Sequence, residues 1–332
     1  MISTQVAQSP PPAGADGALA RLWRTSPPLT AVGVLMSVAA IASAVAMFVD
    51  PRIITGAPAW LKPFKFAVST AIYSLTLAWI FGWLTEWPRM RRVVGWTTAV
   101  VFVLEVALID IQAWRGTTSH FNVSTAVDAA VFTTMGAAIL LQTLVSVAVA
   151  VALWRQRFAD RALGWALRLG MTLTIAGALT GPLMTRPTPA QLADARAGHP
   201  MKIAGAHSVG GPDGVPGVPV TGWSREYGDV RVAHFIGLHA IQVLALFAVG
   251  LRRWDAHGAV RGRALLAVAA SYASLFLVLL WQALRGQSVV APDGAILGGL
   301  AAWALATIIA LGWIALGGAR DDAQVLPSVR RQ

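Results

Sequence analysis

The side chains able to do chemistry gather in a few short strings. Gln112-Ala113-Trp114-Arg115-Gly116 and Gln282-Ala283-Leu284-Arg285-Gly286 each close a long apolar run, and Asp128 and Asp293 precede the next runs. Lys62 and Lys65 open another run, as do Arg231 and His234, with His239 and Gln242 further in. Glu105 and Asp110 lie inside a third run, followed by Ser119-His120-Phe121-Asn122. Five cations (Lys62, Lys65, Arg115, Arg231 and Arg285), accompanied by Gln112, Gln242 and Gln282, suit an anionic group. A carboxylate, a phosphate headgroup or a haem propionate has that chemistry. Glu226 and Asp229 are placed to neutralise some of these cations while the site is empty. Glu105, Asp110 and His239 are candidate proton carriers. His120 with His234 or His239 offers the paired imidazoles that ligate a b-type haem.

Every one of these residues also has a structural reading. Glu105 can sit protonated and hydrogen-bonded to a neighbouring helix, and the lysines can snorkel to headgroups. The glutamines can be interhelical struts, the arginines external anchors, and the histidines satisfied bundle residues. The loop histidines His199, His207 and His257 are assigned no role.

The elements that must position these groups are membrane helices. Of the 332 residues, 56% are apolar and only 12% charged, too few to cover a water-facing surface. Eight segments are long and apolar enough to cross a hydrocarbon core of roughly 30 Å. They lie near Thr30–Val49, Phe66–Leu84, Val93–Ala113, Ala129–Trp154, Leu169–Thr185, His234–Leu251, Ala264–Leu284 and Gly294–Ala319. The fifth and sixth are short and must borrow flanking residues. None shows the alternation of a barrel strand, so the expected fold is all-α and polytopic.

Lysine and arginine set the orientation. Sixteen of the 26 fall on the side that carries both termini, and five of the remaining ten fall in or beside one long loop that counts little. Both termini are therefore expected in the cytoplasm, across a bacterial-type inner membrane. Residues 1–28 read as a disordered tail and 321–332 as a second, cytoplasmic tail. Ala42-Ser43-Ala44-Val45-Ala46 mimics a signal-peptidase site, but its run is span-length and is expected to be retained. The net charge of +11 is then an orienting charge and predicts no nucleic-acid partner.

Two halves recur. Gln112 to Gln282 and Lys65 to His234 are separated by 170 and 169 residues, and Asp128 to Asp293 by 165. The sequence predicts two four-helix repeats, 29–158 and 159–320, in the same orientation about a pseudo-two-fold axis along the membrane normal. Taking about 100° per residue, Arg231, His234, His239 and Gln242 share one arc of the sixth helix. Lys62, Lys65, Thr70 and Tyr73 occupy the same arc of the second. Gly177 with Gly181, and Gly294 with Gly298, offer close-packing faces. Loop 186–230, rich in Gly and Pro and external in this topology, is either disordered or a lid over the working face.

Zero cysteines exclude disulfides and thiolate chemistry. No P-loop, zincin or nucleophile-elbow motif is present. The first functional expectation is a transporter or membrane binding protein for a small anionic or amphiphilic ligand, its candidate partners being that ligand, the bilayer and a second copy of the chain in a homo-oligomer. The alternative is a b-type haem or quinone redox protein, with no enzymatic activity assigned. In architecture only, two four-helix bundles with external histidines resemble haem A synthase, which implies bis-histidine haem at the outer helix ends. The fourth and eighth helices lack histidine and Lys65 stands opposite His234, so the resemblance leaves room for one haem b at most.

Overall fold

The computed structural model describes residues 17–253 and 258–329, with side chains as far as residue 316. Among these the chain is helical, apart from two small antiparallel ladders. These are β1 (Ile53–Ile54) on β2 (Ala57–Pro58), and β3 (Ser208–Val209) on β4 (Gly228–Asp229). A short helix α1 (Ala18–Thr25) precedes α2 (Pro27–Val49), α3 (Leu61–Phe81), α4 (Pro88–Trp114) and α5 (Ala126–Arg155). Then come α6 (Arg161–Ala178), α7 (Gly181–Met184), α8 (Pro189–Arg196), α9 (Val230–Leu238), α10 (Ala240–Leu251), α11 (Gly258–Leu284) and α12 (Gly294–Val329). Seven helical spans among the described residues are long and apolar enough to cross a membrane. The pair α9–α10, bent by 43°, makes an eighth when taken as one.

Local chemistry accounts for the starts. Pro27 and Pro28 supply the pre-set φ of a first helical turn. Thr125, Asp160 and Asp229 cap α5, α6 and α9 by accepting from backbone amides of the first turn. Outward-facing apolar side chains such as Phe48 and Trp313 are exposed, as lipid contact requires and water would not favour.

Four expectations need adjustment. Within the expected tail, residues 1–16 lie outside the described residues, but Ala18–Thr25 is a helix and Pro27 already belongs to α2. Of the other tail, the backbone is helical to Val329, while its side chains and residues 330–332 lie outside the described residues, as do His257 and the Arg320 side chain. The sixth span is two helices broken at His239, so Gln242 on α10 does not share a continuous arc with Arg231 and His234 on α9. The fifth span borrows residues at its start, reaching back to Arg161, and ends at Ala178 before the one-turn α7. Gly177 does pack closely, against the backbone of Gly237, whereas no atom lies near the Cβ position of Gly294 or Gly298.

In the first half α2 lies along α3, α3 along α4 and α4 along α5, with α2 also touching α4. In the second half α6 lies against both helices of the bent pair and against α11, α11 against the bent pair, and α12 along α11. A core of Leu29, Leu77, Phe81, Leu153, Leu163, Leu167, Met171, Ile241 and Leu244 fuses the halves at one end of the helices. The polar groups lie at the other end. The connection from α7 to α9 is folded across those ends, tied down by backbone bonds from Val123 to Lys202, Ala204 to Phe121 and Ala206 to Met184.

Candidate functional site

The recurring Gln-Ala-x-Arg-Gly string builds the same helix terminus twice. Gly116 and Gly286 take φ of +74° and +75°, which a side chain resists, and the chain turns back there. The amides of Thr117 and Gln287 donate to the carbonyls of Gln112 and Gln282. Gln112 Nε2 donates to the Thr118 carbonyl at 3.3 Å, and Gln282 Nε2 to the Ser288 carbonyl at 2.7 Å. Arg115 then reaches Asp128 at 2.8 Å, and Arg285 reaches Asp293 at 2.7 Å. These two glutamines and two arginines therefore have partners within the frame, in the first turn of the next helix or just before it.

Arg231 is satisfied in a similar way. Buried Asp229 accepts from its side chain and backbone amide while capping α9, and the Gly222 carbonyl takes a further bond at 2.7 Å. Asp229 thus fills the neutralising role expected of it; Glu226 has no ion pair among the described residues. The lysines differ. Lys65 Nζ donates to the Thr221 carbonyl at 2.9 Å, and Lys62 lies 5.9 Å from the centre of the Phe66 ring. Neither has a carboxylate within ion-pair reach among the described residues.

Lys62 stands beside a cluster of three imidazoles. His120, His207 and His234 are close enough to one another to interact through their charges, and His120 and His207 also feel Lys62. All four side chains are partly accessible rather than sealed. Aromatic rings pack against the cluster. Phe66 lies 5.6 Å from His120, and Phe121 lies 6.2 Å from His120 and 4.8 Å from His207. Phe121 holds that place at φ +64°, a left-handed conformation that costs a non-glycine residue about 1–2 kcal/mol. Such strain persists where surrounding contacts hold it, here a buried ring against Phe132 and a carbonyl bonded to Ala204.

Each imidazole is anchored through Nδ1. Ser119 Oγ lies 3.1 Å from that of His120, Asp213 Oδ2 2.9 Å from that of His207, and the Gly177 carbonyl 2.9 Å from that of His234. Thr180 also approaches His234, at 3.0 Å. The Nε2 atoms have no hydrogen-bond partner among the described residues. His239 stands apart, at the α9–α10 break, with its ring 4.4 Å from Phe235. Thr174 mends that break, donating to the Leu238 carbonyl and accepting from the Ile241 amide, both at 3.3 Å. Glu105 is buried with neither carboxylate oxygen bonded, and Lys62 is the charge it feels. Asp110 Oδ1 is likewise buried without a partner, and so is Gln242 Oε1.

Burial pushes His120 well below the usual imidazole range, and the charges of Lys62, His207 and His234 push the same way. Burial also lowers His207, with Asp213 opposing and Arg231 adding to the shift. Both rings are held below the usual imidazole range in the folded chain, so the unfolded state binds more protons below its imidazole pKa of about 6.5. Stability contributed by these rings is complete above that pH and is lost as pH falls toward 5. Each adds a slope of at most about 1.4 kcal/mol per pH unit. Thermal unfolding of the detergent-solubilised protein should show this loss, and His120→Gln should flatten it. An unchanged slope in that variant would contradict the assignment.

The sequence does not single out His207, Asp213, Phe121 or Thr180. The only signal for His207 and Asp213 is a loop too long to be idle, in which Gly210-Gly211-Pro212 turns the chain so that Asp213 returns to His207. A cavity of about 470 Å³ opens elsewhere in this loop, lined by Gln191, Asp194, His199 and Lys202 and by none of the clustered imidazoles. Among the described residues no three or more His, Asp or Glu side chains converge to hold a metal ion.

Known proteins supply no relative. No family model matches the chain, and neither a curated protein nor a solved structure is similar to it. The site must be read from its own chemistry.

Proposed function

We propose that this chain is a bacterial-type inner-membrane protein with both termini in the cytoplasm. It binds a small anionic or amphiphilic ligand at the outward-facing ends of its helices and carries it into or across the bilayer. Lys62 and Lys65 are the ligand's cations. The observation that carries this reading is a contrast: Arg115, Arg231 and Arg285 each hold a carboxylate, while the two lysines hold none. The arginines, with Gln112 and Gln282, frame the site and set its depth.

Three further features support it. The span broken at His239 carries His234, and interrupted helices are where membrane carriers place their ligands. Matched helix pairings and the twice-built terminus support a duplicated, parallel arrangement of halves. Glu105, buried and unpartnered with Lys62 as the charge it feels, suits a proton carrier coupled to the ligand, with Asp110 and His239 as secondary candidates.

The test is calorimetric titration of the full-length protein in phosphatidylcholine nanodiscs with inorganic phosphate and with acetate. A charge-assisted contact is worth about 1.5–3 kcal/mol, so Lys62→Met and Lys65→Met should each weaken binding about ten- to hundredfold. Unaltered affinity in both variants would sink the reading. In proteoliposomes Glu105→Gln should abolish flux while leaving binding intact. Binding with no flux in the unaltered protein would make it a receptor.

A second reading, a b-type haem held by His120 and His234, is favoured by the imidazoles anchored at Nδ1 with Nε2 unpartnered, the arrangement that orients a ligating histidine. It requires a Soret band in protein purified from haem-replete cells, lost in His234→Ala. Colourless protein excludes it.

A further inference from the structure

The lid brings one pair of groups, His207 and Asp213, to the imidazole cluster that the lysine site does not use. Asp213 accepts the His207 ring Nδ1–H at 2.9 Å and also the backbone amides of His207 and Ser208, at 2.9 and 2.8 Å. Burial works against this carboxylate, yet the bonds from His207 and from the amides outweigh it and hold the group well below the usual range. Asp213 is therefore a fixed anion behind the ring. The tautomer is set with hydrogen on Nδ1, and the lone pair of Nε2 is left free. The Phe121 ring, 4.8 Å away, limits how the imidazole can turn.

The charged and titratable groups around His207 come from every neighbouring element. Lys62 comes from α3, His120 from the α4–α5 connection, Arg231 and His234 from α9, and Asp213 from the lid itself. Arg231 is already neutralised by Asp229. Lys62 is therefore the main unneutralised cation opposing a proton on His207, and it is also the cation an incoming anion would cover. An anion seated on Lys62 removes that opposition, and Asp213 then stabilises the imidazolium from behind.

We propose that His207 is the proton acceptor of the outer site, so that the ligand is the anion of a weak acid, carboxylic or phosphoric, and binds together with one proton. This rests on the reading of Lys62 and Lys65 as the ligand's cations. The step balances simply. An N–H bond forms at Nε2, the proton comes from the ligand's own acid form or from external water, and the bound anion and Asp213 flank the resulting cation. The phosphate group could belong to a soluble molecule or to a lipid, and the test separates the two.

Full-length protein in phosphatidylcholine nanodiscs is titrated with inorganic phosphate, with acetate and with a short-chain phosphatidic acid, at pH 7.5 in two buffers of different ionisation heat. The expected result is uptake of about one proton per bound anion, falling below about 0.2 in His207→Gln and Asp213→Asn. His199→Gln should leave uptake unchanged, because the His199–Asp194 pair has the same Nδ1 geometry but is exposed and apart from the imidazole cluster. Proton uptake with phosphatidic acid alone assigns a lipid headgroup, and with inorganic phosphate or acetate a soluble acid. Binding with no buffer-dependent heat overturns the inference and leaves the lysine reading intact. Uptake that survives in both His207→Gln and Asp213→Asn but disappears in Glu105→Gln moves the proton to Glu105 and also overturns it. No binding of any probe overturns both.

Discussion

Gly237→Ala should destabilise the protein, although helix propensity alone argues for the opposite sign. Alanine in place of glycine inside a helix is worth about 0.5–1 kcal/mol in favour of folding. At Gly237 the added methyl would fall within van der Waals contact of the Gly177 backbone, and at Gly177 it would lie 2.5 Å from the Gly237 carbonyl carbon. Both contacts are with main chain, so neither can be relieved by rotating a side chain. Overpacking of this kind costs about 1–3 kcal/mol or more, and it outweighs the propensity gain. The effect also reaches the site, because this crossing sets the distance from His234 to the Gly177 carbonyl and to Thr180. Gly298→Ala is the matched control. Nothing lies near its Cβ position, so propensity should act alone and the variant should be neutral or slightly stabilised. Unfolding in mild detergent decides between them, and a Gly237→Ala protein as stable as Gly298→Ala would show that the helices separate freely.

How much of this is legible in the sequence depends on whether a feature is local. The helices are, because a run of about 20 apolar residues admits no other structure in lipid. The twice-built helix terminus is nearly so: Gln112 and Gln282 recur with Arg and Gly at fixed spacing, and the glycine marks the left-handed turn. What spacing cannot reveal is the partner. Arg115 and Arg285 look like free cations until Asp128 and Asp293, 13 and 8 residues later, are brought back by the turn. The break at His239 leaves no proline or glycine at the bend itself, since Thr174 of another helix supplies the bonds that make it tolerable. His207 is hidden for a different reason. Its role depends on where a 45-residue connection lies, and only packing against Phe121 and the α9 terminus decides that.

The two halves should prove unequal when their matched carboxylates are removed, which tests whether motif or burial sets the energy. Asp128 is 3% exposed and accepts from Gln112, Arg115 and Thr125 at 2.9, 2.8 and 2.6 Å. Asp128→Ala leaves a buried amide and a half-buried guanidinium facing each other with no acceptor between them. Breaking a buried ion pair costs about 3–5 kcal/mol. Arg115 keeps some access to water, so the lower end, about 3 kcal/mol, is the expected loss. Asp293 makes the equivalent bond to Arg285 on the exposed rim, where an ion pair is worth about 0–1 kcal/mol. Its remaining contribution is the cap on the Ile296 amide, about 1 kcal/mol. Asp293→Ala should therefore cost roughly half as much as Asp128→Ala or less. A double-mutant cycle should give a larger coupling for Arg115 with Asp128 than for Arg285 with Asp293. Equal losses would mean that the shared motif, and not the depth at which each copy sits, determines how firmly the helix ends are held.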